Sequence, residues 1–381
     1  DMIRRHENID EYYQKIADRY NGIIAELGLD FDISGELEYI RNAIEHYSGQ
    51  DFAASRGEYL NGLILAKYLG YDFIDAENVI LFTEDGKFDS EKTQEVLSAE
   101  LSRHERAVIP GFYGSMPNGS VKTFSRGGSD ITGSIVARAV NAKIYENWTD
   151  VSGFLVADPR IIDNPAPITT ITYRELRELS YMGATVLHED AIFPVRTAGI
   201  PINIKNTNAP EDRGTMIVAN ADEVIPPYTI TGIAGKKNFS AICLEKDEMN
   251  SEIGFLRRIL TLMETEGIAF EHIPTGIDTM NIIVNSDDLA NHPNFADRIK
   301  EVANPNHIEI EKNLAVIAVV GRGMKATKGT ATRIFAALSH ANINIKMIDQ
   351  GSSELNIIVG IEEADFEEAI RVIYNMFMLQ E

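Results

Sequence analysis

One cysteine in 381 residues, Cys243, excludes an intrachain disulfide and a cysteine-bound metal cluster. It lies in the apolar run SAICLE, where a buried inert thiol is expected rather than a nucleophile. Apolar runs approaching the roughly 18–20 residues that span a bilayer are missing, as is a signal-peptide core in the opening DMIRRHENIDEYY. A cytoplasmic protein with no membrane partner is expected. Positive charge is scarce. Lys and Arg number 35 against 58 Asp and Glu, a net charge of −23, which argues against nucleic acid as a partner. There is no Ser-His-Asp signature and no GxxxxGK[ST] loop, so P-loop phosphoryl transfer is excluded. His188 has no second His or Cys at metal-ligand spacing, no metal site is expected among protein ligands, and Trp148 is expected to be a packing residue. A chain this acidic can bind a polyanion only locally, with a few placed arginines, helix N-termini and Mg²⁺ inside glycine-rich loops.

Such a loop is present. SRGGSDITGS places Arg126, Gly127 and Gly128 ahead of Ser129 and Asp130, at the start of a helical run ITGSIVARAV. Glycines let the backbone turn and bring N–H groups close to a ligand. The segment reads either as a small anion-handling device or as a glycine turn closed by a Ser/Asp N-cap.

The composition, 44% hydrophobic and 24% charged, suits a well-buried protein of two or three domains. Residues 1–70 read as helices: EYYQKIADRYNGIIAELGL, GELEYIRNAIEHY, and GEYLNGLILAKYLG, which opens at Gly57 and closes with Gly70 as C′. Short strands (NVILFT, RAVIPGF, AKIYEN, PINIKNT, GTMIV) then alternate with helices. One of these, YRELRELSYMG, has Thr172 and Glu175 in the capping-box relation, and another is LHEDAIFPVRTAG. Alternation of this kind indicates an α/β layer on a largely parallel sheet. ENWTDVSGFLVADPR sets Thr149 and Asp150 at a strand's end, suited to ribose or metal-phosphate contacts, and Arg160 in a proline-fixed turn, suited to a phosphate fork. Read alone, the same segment is two ordinary turns.

Beyond Ile225-Pro226-Pro227 the chain repeats itself. Residues 238–284 lie on 313–359 at a shift of 75 without a gap, with 13 identities in 47 positions, Asn238/Asn313, Met249/Met324 and Gly254/Gly329 among them. Each copy reads strand, loop, helix, strand, turn, strand and trailing helix, a β-α-β-β-α-β unit, so two small ferredoxin-like sandwiches are expected.

SRGGSDITGS, TDVSGFLVADPR, YRELRELSYMGATVLH, GIPINIKNT and GTMIV, in this order and spacing, resemble the aspartate kinase family, and the repeat resembles that family's paired ACT domains. The likeness runs from about Glu58 to the C-terminus. It implies an amino-acid kinase fold (an αβα sandwich with a mostly parallel sheet) over 1–221, and ferredoxin-like ACT domains over 222–305 and 306–381. It implies phosphoryl transfer from MgATP to the side-chain carboxylate of L-aspartate, the first step toward lysine, threonine and methionine. By position, Arg126 would take the substrate carboxylate, Glu58 its ammonium, with Ser129 beside them. Asp130 would stand at the transferring phosphoryl group with Arg126 as the second catalytic residue, and Thr149, Asp150, Leu155, Arg160, Thr185 and Val186 would contact ATP. Lysine, or else threonine, would bind Met249, Ser251, Glu252 and Gly254 in the loop EMNSEIGFL, at a homodimer contact between ACT domains. Met249, which recurs as Met324, is also open to a plain core role.

Three departures stand out. Leu155 replaces a common tyrosine, and Thr185 a common lysine. The family's opening strand ending in Lys-Phe-Gly-Gly has no counterpart here, and the expectation is that it lies upstream of Asp1. A non-catalytic amino-acid sensor with a vestigial kinase layer is the alternative.

Overall fold

The computed structural model describes residues 2, 5–46, 49–125, 127–184, 189–221 and 228–378. Arg126, Thr185, Val186, His188 and the Ile225–Pro227 boundary lie outside them. The chain divides into two compact units, Asp1–Trp148 with Leu187–Asn203, and Thr149–Val186 with Ile204–Glu381.

The first unit opens with three helices, α1 (Asp10–Glu26), α2 (Ser34–Glu45) and α3 (Gln50–Leu69). Their apolar stripes meet around Ile24, Ile33, Ile40, Phe52 and Leu60. Helix α3 begins seven residues earlier than the glycine at 57 suggests, because Gly57 sits mid-helix. It ends as expected at Gly70, whose φ of 67° is the left-handed cap. Strand β1 (Asp72–Phe73) leads to α4 (Ala76–Val79), α5 (Ser90–Leu101) and β2 (Ala107–Val108), which pairs in parallel with β1. The strand expected over 78–83 is not one. Asp75 caps Glu77 N–H and turns the chain into α4, leaving only isolated bridges at Leu81 and Phe82. The hairpin β3 (Tyr113–Ser115) and β4 (Val121–Thr123) precedes α6 (Gly128–Ala139) and β5 (Tyr145–Thr149).

In the second unit β6 (Thr170–Thr172) runs into α7 (Tyr173–Tyr181), and both arms of the Thr172/Glu175 capping box form. Of the helix expected over 187–199, the described residues form a 3-10 turn, Glu189–Ile192, and then α8 (Phe193–Ala198), both of which belong to the first unit. Pro194, near the start of α8, cannot extend an α-helical hydrogen-bond ladder through from the preceding turn. After β7 (Ile202–Asn206), β8 (Thr215–Val218) pairs in parallel with β6.

The repeat region forms a five-stranded sheet. Its first copy carries β9 (Gly232–Glu245), α9 (Phe255–Glu266), β10 (Thr279–Asn285), α10 (Ser286–Ala290) and α11 (Phe295–Ala303). The second carries β11 (His307–Val320), α12 (Thr330–His340), β12 (Ile345–Asp349), β13 (Asn356–Glu362) and α13 (Phe366–Met378). The strand order is β10-β9-β11-β13-β12. The two 14-residue strands are shared. The far half of β9 pairs with β10 and with His307–Glu311, while its near half pairs with Val316–Val320. The register shifts between Glu311 and Val316, and Asn238 and Asn313 both take left-handed backbone there, φ 72° and 59°. Two sandwiches therefore exist, but each borrows its fourth strand from the copy that builds the other. The first copy also lacks a counterpart of β12. Pro274 occupies the place of Asp349 and has no N–H to donate, so only isolated bridges at His272 and Thr275 remain. Cys243, Ile283, Leu314 and Met347 line one narrow space of about 20 Å³, so the sheet bends back on itself around a nearly filled seam. Cys243 is half-buried rather than buried as expected; that partial burial, with Glu311, Glu309 and Glu245 nearby, raises its thiol pKa, consistent with an inert role.

Candidate active site

Gly127, at φ 57°, turns the chain so that α6 begins at Gly128 with Ser129 and Asp130 in its first turn. A helix N-terminus presents free N–H groups and a positive dipole end, which favour an anion. Thr132 pins this start: its hydroxyl donates to Gly128 O at 2.9 Å and accepts from Phe112 N at 2.9 Å. The Asp130 carboxylate is aimed by Asn147, whose side-chain amide donates to it at 2.9 Å. The Tyr145 hydroxyl accepts from Asn147 at 3.0 Å and donates to the Asp130 carbonyl at 3.3 Å. The sequence reading missed both partners. The available signal was the polar Asn147 on the inward face of YENWT, where it is 8% exposed.

Glu58 and Ser129, assigned to the substrate from separate segments, line the same cavity of the first unit, about 620 Å³, together with Gly111, Gly133 and Tyr145. Glu58 is exposed on α3. Trp148 is 45% exposed and donates to Glu146, so it is not the packing residue expected.

The segment from Thr149 belongs to the second unit. The Thr149 carbonyl accepts from Thr207 N and Oγ1 at 2.8 and 2.9 Å, and its hydroxyl donates to Asp150 at 3.2 Å. Ser152 donates to Asp212 at 2.5 Å. Gly153 is required where it stands: at φ 94° a Cβ would meet Thr215 Oγ1 at 2.3 Å, the hydroxyl that accepts from Phe154 N. The turn leaves Leu155 exposed at 37%. Arg160 is exposed and bound to Asp158 of its own turn, with Nη2 at 2.6 Å from Oδ2 and Nε at 3.0 Å from both oxygens. That pairing lowers the Asp158 pKa and raises that of Arg160. A phosphate reaching Arg160 has to compete with this carboxylate.

In the loop Glu248–Leu256, Met249–Ser251 form a 3-10 turn and Gly254, at φ 86°, caps α9. Glu252 is gripped by Arg258 and by Lys246 at 3.2 Å, and these bonds hold its carboxyl below the usual range. Ser251 is exposed, and its hydroxyl donates to Glu248 O at 2.9 Å. The Met249 side chain is buried with Phe255 and Ile259, so it can offer a ligand only backbone atoms.

Residues 6–206 match the amino acid kinase family, and residues 317–377 match an ACT domain. Aspartokinase 3 of Bacillus subtilis (strain 168) is 38% identical over 388 residues, which cover 96% of this chain and 84% of that protein. The aspartate kinase of Clostridium acetobutylicum, described as an allosteric enzyme, superposes with a TM-score of 0.91 at 55% identity, over 99% of this chain and 87% of that one. E. coli aspartokinase III, solved with aspartate and ADP, superposes with a TM-score of 0.68 at 22% identity over 96% and 86%, a likeness of fold.

Proposed function

Since the chain belongs to the aspartokinase family, we infer that it transfers the terminal phosphoryl group of ATP to the side-chain carboxylate of L-aspartate under allosteric control. We propose the site residues and effector as follows. Aspartate's carboxylate is ionised at neutral pH, so no strong general base is needed. The protein has to hold two anions in line and offset their charge. Glu58 would take the substrate ammonium, and Arg126 its carboxylate beside Ser129. Asp130, held by Asn147, would orient the groups at the transferring phosphoryl, and the N–H groups that open α6 would face developing negative charge. Thr149, Asp150, Leu155 and Arg160 would hold the nucleotide, followed along the chain by Thr185 and Val186.

Mg²⁺ fits this scheme. Among the described residues no group of three or more His, Cys, Asp or Glu could form a cage. Mg²⁺ commonly needs only one or two carboxylates beside the substrate's phosphates. When bound, it would neutralise phosphate charge.

The observation that supports the reading most directly is the shared cavity of Glu58 and Ser129, with Asp130 held in place one residue on. We further propose domain limits of 1–221, 222–305 and 306–381, a cytoplasmic homodimer joined through its ACT domains, and lysine, then threonine, as effector at Met249, Ser251, Glu252 and Gly254. No helix among the described residues is long and apolar enough to cross a membrane. The test is ADP release with L-aspartate against glutamate, acetylglutamate and carbamate. Release with aspartate alone is expected, and equal release with any of the others would refute the substrate.

A further inference from the structure

Three segments of the second unit converge on one buried carboxylate. Glu175 is fully buried and accepts from Thr172 N and Oγ1 at 2.9 and 2.8 Å, the capping box of α7. It also accepts from Thr231 Oγ1 at 2.6 Å, Arg322 N at 2.9 Å and Arg322 Nη1 at 3.0 Å. Burial alone would push its pKa up, but the donors from Thr231, Arg322 and Thr172 outweigh it and hold the carboxyl below its usual range. Thr231 immediately precedes β9, and Arg322 stands in the 3-10 turn after β11. Both therefore belong to the second sandwich. Arg322 Nε is buried without a partner among the described residues, a cost that calls for a reason.

The same sandwich grips the loop that carries Leu155. Ile233 N donates to Val156 O at 2.7 Å, and Ala166 N, whose carbonyl accepts from Val156 N, donates to the Tyr374 hydroxyl of α13 at 3.0 Å. Asn356 adds a bond to Glu178 of α7 at 2.7 Å. The first copy has diverged at this point. The residue 75 places before Arg322 is Asp247, which bonds Asn306 within its own sandwich.

We propose that Glu175 and Arg322 are positioning residues through which the second sandwich fixes the Leu155 loop and so sets nucleotide affinity. This rests on Leu155 and Arg160 belonging to the nucleotide site. The joint ties α7 to the sandwich at the point where Ile233 holds Val156, so loosening it frees the loop without touching the substrate cavity or Asp130.

The test uses the full chain, with calorimetric titration of MgADP in the absence of aspartate or effector, and steady-state kinetics. Arg322→Met and Glu175→Gln should weaken ADP binding about tenfold and raise KM for ATP in step, with kcat and KM for aspartate within about twofold of the parent. Arg322→Lys should restore part of the loss, and Thr231→Val, which removes one donor, should give a smaller loss. Parental ADP affinity in the folded fraction of Arg322→Met, or of the milder Thr231→Val and Arg322→Lys if Arg322→Met does not fold, would reduce the joint to packing and overturn the proposal. Arg160→Ala separates the premise from the proposal. ADP binding indifferent to Arg160 as well would remove the nucleotide reading itself, whereas sensitivity at Arg160 alone would refute only the joint.

Discussion

Asn147 donates to the Asp130 carboxylate at 2.9 Å from a strand position that is 8% exposed, so the orientation of that carboxylate is set by a side chain from β5. Asp130→Asn should lower kcat about a hundredfold or more with little change in either KM, as expected for a group acting at the reacting centre. Asn147→Ala should lower kcat about tenfold, since a net hydrogen bond to a charged group contributes roughly 1.5–3 kcal/mol. A raised KM with intact turnover in Asp130→Asn would make Asp130 a binding residue.

Arg126 opens the same loop in an acidic chain. Its replacement by Ala should cost about ten- to a hundredfold in kcat/KM for aspartate and leave KM for ATP nearly unchanged. Unchanged aspartate kinetics would sink the assignment.

Gly153→Ala should destabilise the second unit by about 2–3 kcal/mol, because its Cβ would overlap Thr215 Oγ1 on a backbone that L-residues avoid. The change should appear as a lower denaturant midpoint, part of which Thr215→Ala in the same chain should recover. A midpoint equal to the parent's would show that the loop relaxes freely.

His104 lies between Asp72 at 2.7 Å and Glu100 at 3.2 Å, and these hydrogen bonds raise its pKa. A folded-state pKa above the unfolded value of about 6.5 contributes stability that is complete below that pH and disappears as pH rises through the folded pKa. Thermal unfolding of His104→Gln should therefore show its deficit near pH 6 and lose it toward about pH 9. A deficit that grew with pH would reverse the sign and refute the ion-pair reading.

Lysine should bind the full chain at the Glu248–Leu256 loop and inhibit it, with a coupling of about 1–3 kcal/mol between effector and substrate. Ser251→Leu should weaken that binding while sparing uninhibited turnover. Absence of calorimetric binding for both lysine and threonine would remove the regulatory reading.

Sequence patterns located the pieces of the site better than their surroundings. The GGSD loop announces itself because two glycines ahead of a helical run are a local feature, and the Thr172/Glu175 box is equally local. The cap of that helix, however, is Gly127 rather than the expected Ser129 or Asp130, which lie inside the first turn. Asn147 is legible only as a polar residue on an inward strand face; its partner is not, because its role depends on a strand and a helix that meet only in three dimensions. Arg160 was legible as a cation but not as one already paired, since Asp158 reads equally well as a turn former. The repeat was legible at single-residue register, down to Asn238 and Asn313. What it concealed was the exchange of strands at those two asparagines, because equal copies fold just as well by pairing within themselves as across.

The shared strands bear on synthesis. The near half of β9 waits for Val316–Val320, about eighty residues further along, before it can complete its hydrogen bonds on that side. Pairing over so long a separation is slow, and an unsatisfied strand edge invites association with other chains in the meantime. Lys236 and Lys237 sit in that waiting half, next to Asn238, where their charge discourages intermolecular stacking until β11 emerges. Neither sandwich can then fold to completion, or be cut away, without the other. A chain truncated after β10 would leave β9 half paired, as a target for proteolysis and aggregation rather than as a free-standing domain.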